Sequence, residues 1–199
     1  MELDQTAARA ETRGAPAVAL EALERSIALS EVPSRRAKRL LKAAELALEL
    51  GRTDQAAAHL QLAAPPEVDV LVRARMVLLS EGLEIDVSRS IPRLHLLLTT
   101  AEEAAAGDPE LALRLLRAAA TRGWWDNPGC VLRERVVAAA ERLPVPELHP
   151  DLVFVLAGAT PLERGATVIE RLERLERCPL TWISSFCSFI LRLVFRLAE

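Results

Sequence analysis

Residues 35–60 read RRAKRLLKAAELALELGRTDQAAAHL. Ala37, Leu40, Leu41, Ala44 and Leu48 recur at steps of three and four, which puts apolar side chains on one face of an α-helix. Gly51 then stops that helix, because glycine takes up the left-handed conformation of a helix C-terminus without steric cost. Thr53 or Asp54 is expected to cap the next helix, where Ala56 and Leu60 stand one turn apart. Two amphipathic helices joined by so short a turn must lie antiparallel, and one such pair cannot bury its apolar face alone.

The same order of residues occurs three times. Gly51, Ala56, Leu60 and Ala63 share their offsets with Gly14, Ala19, Leu23 and Ser26, and again with Gly107, Ala112, Leu116 and Ala119. The shared pattern is G-x4-A-x3-L-x2-[AS]. Gly turns the chain between two helices, Ala lets their backbones approach at the crossing, and Leu one turn later fills the seam between neighbouring pairs. These offsets resemble the second half of a tetratricopeptide repeat. The Gly-to-Gly intervals of 37 and 56 depart from that family's period of about 34 residues, so one pair is expected to be degenerate or to carry an inserted loop near 84–90.

Composition agrees with helices. Ala and Leu make up about a third of the 199 residues, Gly is only 8 and Tyr is 0. Ala and Leu lose little entropy in a helix, whereas strands favour β-branched and aromatic residues. Helices are expected at about 2–13, 16–30, 33–50, 53–64, 67–83 and 91–106, the last ending at Gly107. Asp108 caps and Pro109 opens the seventh, which runs to GWWDNPG at 123–129, a loop or helix end. The remaining three follow at 131–143, at 151–159 and from Pro161 onward. The ninth, DLVFVLAGA, is apolar almost throughout and so is expected to be buried on most sides. In the tenth, Glu170–Arg174 and Glu173–Arg177 are spaced as i,i+4 ion pairs on a solvated face. The fold class read from this is all-α, antiparallel helix pairs stacked as a tetratricopeptide-like solenoid over residues 1–177.

The chemistry of catalysis is missing from the motifs. Neither Lys38 nor Lys42, the two lysines, follows the glycines of a phosphate loop, and the dinucleotide, nucleophile-elbow and zinc-protease signatures are absent. His59, His95 and His149 lie far apart and each reads as a structural histidine. Cys130, Cys178 and Cys187 have neither the pairing of a disulfide framework nor the spacing of a zinc site, which fits a reducing cytoplasm. No catalytic, cofactor-binding or metal-ligating residue is therefore assigned. The acidic N-terminus MELDQTAARAET lacks the apolar core of a signal peptide. A net charge of −3 argues against autonomous nucleic-acid binding.

Two features stand out as partner-binding candidates. Arg35, Arg36, Lys38, Arg39 and Lys42 crowd the N-terminal part of a helix, the end where the helix dipole disfavours positive charge. An acidic partner would relieve that, although a solvated face is the plainer expectation. Trp124 and Trp125 hold two of the three tryptophans. They are expected to plug a seam between helix pairs, with a binding hot spot as the alternative.

Three stretches carry a resemblance: residues 35–60, LALRLLRAAATRGWWDNPG at 111–129, and LRERVVAAAERLPV at 132–145. From about residue 5 to 176 the chain resembles the helical-repeat region of the large ATP-binding LuxR-type, MalT-like transcriptional regulators of actinobacteria. Abundant Arg and Ala agree with a GC-rich bacterial genome. In that family the repeats follow an ATPase module, precede a helix-turn-helix and transmit an inducer or partner signal. The resemblance implies a non-catalytic sensing region whose partner is a protein or a small-molecule inducer. It gives no residue of this chain an ATP or DNA role, and it implies a truncated regulator. A stand-alone tetratricopeptide-like scaffold for a protein partner is the second expectation.

Residues 178–199, CPLTWISSFCSFILRLVFRLAE, differ from the rest, with three of four Phe, two of three Cys and one acidic residue. Arg192 and Arg196 interrupt the segment too early for a membrane span. It reads as a divergent apolar tail of frameshift origin, with an interfacial anchor as the alternative.

Overall fold

The computed structural model describes residues 2–63, 69–83, 91–126 and 128–176. These residues form ten α-helices and no strand: α1 (Glu2–Thr12), α2 (Pro16–Ala28), α3 (Pro33–Glu49), α4 (Thr53–Leu62), α5 (Val70–Leu83), α6 (Ile91–Ala104), α7 (Pro109–Asp126), α8 (Cys130–Glu141), α9 (Pro150–Ala159) and α10 (Gly165–Glu176). The all-α expectation holds. The chain divides into two compact units, Met1–Asp86 with α1 to α5 and Val87–Glu199 with α6 to α10. No helix among the described residues is long and apolar enough to cross a membrane. The tail at 178–199, with Cys178 and Cys187, and the insertion expected at 84–90 lie outside the described residues.

In the first unit α2 packs between α1 and α3, and α3 also packs on α4 and α5. Helix α3 is buried on two sides, as its Leu and Ala content allows. Leu40, Ala43 and Leu46 join Ala7, Leu20 and Leu23 in one apolar cluster, while Leu41 and Ala44 meet Leu60 and Val72 in another. The two turns that lead into α2 and α4 are built alike. Gly14 has φ +70 and Gly51 φ +71. The next residue donates its N–H five residues back, Ala15 to Ala10 O at 2.9 Å and Arg52 to Ala47 O at 2.8 Å. Only a left-handed residue at that point lets the chain close on the last helical carbonyls in this way.

In the second unit α7 packs against α6, α8 and α9, and α9 also meets α8 and α10. Every residue of α9 from Leu152 to Ala159 is buried, because helices cover several of its sides. A Cβ at Gly158 would stand 3.7 Å from the Cβ of Ala120 in α7, an ordinary contact. The turn at Gly107 differs from the other two. Asp108 donates its N–H to Ala104 O at 2.9 Å, only four residues back, and its carboxylate accepts from Leu111 N at 3.0 Å, capping α7 as expected. Ala19, Leu23, Ser26, Ala56, Leu60, Ala63, Ala112, Leu116 and Ala119, the nine positions that follow Gly in the repeated pattern, are all buried.

Three local expectations are corrected and one open alternative is decided. Helix α4 starts after Arg52 with no side-chain cap; Thr53 and Asp54 lie inside its first turn, where Asp54 suits the dipole. Of the two readings of 123–129, a loop or a helix end, the second holds: α7 continues through Trp124 and Trp125 and ends at Asp126. A Cβ at Gly123 would stand 3.4 Å from Leu94 Cδ1, an ordinary contact. Helix α10 begins at Gly165 and not at Pro161. Residues 161–164 make a separate turn, in which Arg164 N–H reaches Thr160 O at 3.0 Å. Arg174 pairs with Glu147 at 3.8 Å, not with Glu170, because the segment after α8 brings a carboxylate within reach. Arg177 lies outside the described residues.

Candidate functional site

The basic run at the start of α3 separates into two groups. Arg39 and Lys42 are turned toward α1. Arg39 Nε donates to Asp4 Oδ1 at 2.8 Å and its Nη2 to Asp4 Oδ2 at 2.5 Å, and Nη1 also reaches Ser26 O at 3.3 Å and the Ser30 hydroxyl. The Arg39 guanidinium holds the Asp4 carboxyl below its ordinary value; partial desolvation opposes this and the Ser26 hydroxyl adds to it. Lys42 Nζ donates to Glu11 Oε1 at 2.5 Å and stands 3.6 Å from Glu45 Oε2. Partial burial pulls the Lys42 ammonium down, but Glu11 and Glu45 outweigh it and the net direction is up.

Arg35, Arg36 and Lys38 form the other group. All three are exposed, and they make no ion pair among the described residues. Val32 caps α3 with extended backbone and no side-chain bond to the helix. It is 46% exposed, and Leu29, at the end of α2, is 74% exposed. Arg35 and Arg36 follow Val32 by three and four residues, in the first turn of α3. The turn between α2 and α3 thus presents two exposed aliphatic side chains, and the start of α3 that follows carries three cations without an ion pair among the described residues. The charges were readable in sequence; the exposure of Leu29 and Val32 was not.

The histidines are not brought together, and no group of three metal-type ligands occurs among the described residues. His95 is exposed. His59 Nε2 stands 3.3 Å from Glu24 Oε1 without hydrogen-bond geometry, and Gln55 Nε2 donates to that oxygen at 2.6 Å. His149 caps α9: its Nδ1 accepts from Asp151 N at 3.2 Å and its Nε2 faces Glu110 Oε2 at 3.2 Å. The Asp151 carboxylate accepts from Arg117 Nη1 at 2.9 Å, and the Arg117 guanidinium lies 5.1 Å from the centre of the buried Phe154 ring. These groups tie α9 to α7. Trp124 is half-buried, and the side chain of Trp125 lies outside the described residues. Cys130 is a free, exposed thiol at the start of α8.

A cleft of about 430 Å³ opens among the end of α6, the start of α7 and the end of α8. Ala101, Ala105, Ala106 and Ala139 line it with methyl groups, Leu116 and Leu143 add larger apolar surface, and Glu102 and Arg142 are its charged members. Glu102 stands 3.9 Å from Arg142 Nη2 and 3.5 Å from Arg135 Nη2. Such a cleft holds an apolar group beside a carboxylate and a guanidinium, and its size falls within the range of small-molecule sites. Its lining includes no nucleophile and no histidine.

Comparison with protein-family models, with curated proteins and with solved structures finds no match for this chain.

Proposed function

We propose that this chain is a non-catalytic helical-repeat region that senses or transmits a signal by binding, of the kind found in LuxR-type ATP-binding regulators. The observation that carries the reading is the burial of all nine positions that follow Gly in G-x4-A-x3-L-x2-[AS], at identical offsets in three places. Repetition of one buried set is what stacked helix pairs require, since each pair needs a neighbour to cover its seam. The alanine-lined cleft beside Leu116 supports the sensing part, as a site with apolar walls and one charged pair.

Purified protein is expected to show no ATP turnover and no sequence-specific binding to duplex DNA. Steady ATP hydrolysis abolished by one substitution in this chain would overturn the reading, as would operator binding in the nanomolar range at physiological salt. The kinship with LuxR-type regulators is tested separately on the genomic DNA that flanks the gene. Coding sequence for a phosphate-loop module upstream and a helix-turn-helix downstream is the expected result, and their absence favours a stand-alone scaffold.

A further inference from the structure

We propose that the turn between α2 and α3 is a docking surface for an acidic helical segment of a partner protein, whose carboxylates meet Arg35, Arg36 and Lys38 while an apolar side chain packs on Leu29 and Val32. The proposal deepens the interaction reading above by assigning the chemistry of one partner, and it rests on that reading.

Four observations favour this occupant. Arg35 and Arg36 lie in the first turn of α3, where the dipole opposes positive charge and approaching carboxylates are favoured. Glu31, in the same turn of chain, is exposed and forms no ion pair with any of the three cations. The same helix also shows how its cations are met: Arg39 and Lys42 are paired by Asp4 and Glu11, two carboxylates presented by a neighbouring helix. Finally, Leu29 and Val32 stand exposed in the turn that leads into the cations. Phosphate backbones use cations but have no partner for two aliphatic side chains, and a chain of net charge −3 repels a long polyanion. A membrane surface returns only about 1 kcal/mol per basic residue, so three cations hold a bilayer weakly.

The experiment uses the full chain and a fluorescent helix-forming peptide of about 15 residues, with a central Leu flanked by Glu at three and four residues on either side. A second peptide has Gln at every Glu position. Fluorescence anisotropy is expected to show the Glu peptide binding about tenfold more tightly than the Gln peptide, a gap of about 1.4 kcal/mol. Binding should weaken as salt shortens the Debye length from about 30 Å to about 3 Å. The combined variant Arg35→Glu, Arg36→Glu, Lys38→Glu should lose the preference for the Glu peptide. It should melt no lower than the parent, because carboxylates suit the first turn of α3. The double variant Leu29→Ser, Val32→Ser should weaken both peptides while leaving the salt dependence in place.

Equal affinity for the two peptides, or unchanged binding by the charge-reversed variant, overturns the proposal and leaves a solvated basic face. Tighter binding to vesicles with phosphatidylserine or to duplex DNA than to the Glu peptide overturns it in favour of those surfaces. ATP turnover by the chain would overturn the interaction reading without changing any of these binding results.

Discussion

Asp4 on α1 and Arg39 on α3 form a two-pronged ion pair across 35 positions of sequence, with Ser26 of α2 donating to the same carboxylate at 2.8 Å. One carboxylate therefore joins three helices of the first unit. Its folded-state pKa is lowered, so its stabilising effect is present above the ordinary value of 3.8 and is lost as pH falls through the lower folded value. Both side chains keep contact with water, at 37% and 19% exposure, so Asp4→Asn should cost only about 0.2–1 kcal/mol at neutral pH. Urea denaturation of parent and variant should show that gap closing in acid. An identical gap at neutral pH and below the carboxylate range would remove this pair from the stability of the unit.

Lys42 carries the opposite sign. Its folded-state pKa is raised, so its contribution is present below the ordinary value of 10.5 and fades as pH climbs through the higher folded value. Lys42→Met keeps the aliphatic stem and removes the charge that meets Glu11 and Glu45. The variant should be slightly less stable than the parent at neutral pH and should converge with it in alkali. A gap that widens in alkali contradicts the pairing.

Ala112 and Leu116 stand for the repeated pattern in the second unit, and both are buried. Ala112→Leu adds bulk at a helix crossing and should destabilise by about 1–3 kcal/mol. Leu116→Ala should cost about 2–5 kcal/mol, toward the lower end because the side chain borders the cleft and water can enter the space it leaves. Denaturant midpoints equal to that of the parent for both variants would show that the pattern does not mark the packing seams.

The helices and their buried faces were legible because Ala, Leu and Gly positions follow helical periodicity, and the Gly pattern pointed to buried residues without knowledge of neighbours. The ends were less legible where tertiary contact decides them. Gly123 opens the stretch read as a loop or helix end, yet it lies within α7, which runs on to Asp126. His149 is not a residue that sequence rules place at a cap, and only the arrival of Asp151 N beside its ring makes it one. The charged run at α3 was visible, but which of its cations are free depended on where α1 lies, and ion pairs such as Asp4–Arg39 have no local spacing to betray them.

Gly51 and Gly82 should respond oppositely to the same substitution. Gly51 has φ +71, so Gly51→Ala forces a Cβ into the left-handed region and strains the turn although space is open around it. Gly82 lies within α5, has no positive φ and has nothing within 4 Å of its Cβ direction. Gly82→Ala should stabilise by up to about 1 kcal/mol, since alanine is the better helix former, while Gly51→Ala should destabilise by about 1 kcal/mol or more. Thermal melts of both variants check this, and shifts of the same sign would contradict the turn geometry.

The last prediction concerns the start of α9. Pro150 occupies the first turn and has no N–H, so Asp151 supplies the first backbone donor of the helix, and His149 Nδ1 accepts it at 3.2 Å. Acceptance at Nδ1 places the ring proton on Nε2, facing Glu110. Two accounts of His149 then differ in their consequences. If the cap carries the stability, His149→Ala should cost about 0.5–2 kcal/mol. His149→Asn should recover most of it, because the Asn carbonyl reaches the same N–H. Glu110→Gln should then matter little, as the Glu110 side chain is largely solvated. If the contact with Glu110 carries it instead, Glu110→Gln should cost as much as His149→Ala, and Asn should not rescue. We expect the first outcome, because one contact to a solvated carboxylate contributes less than satisfying an otherwise orphaned donor at a helix start. Equilibrium unfolding of the three variants separates the two.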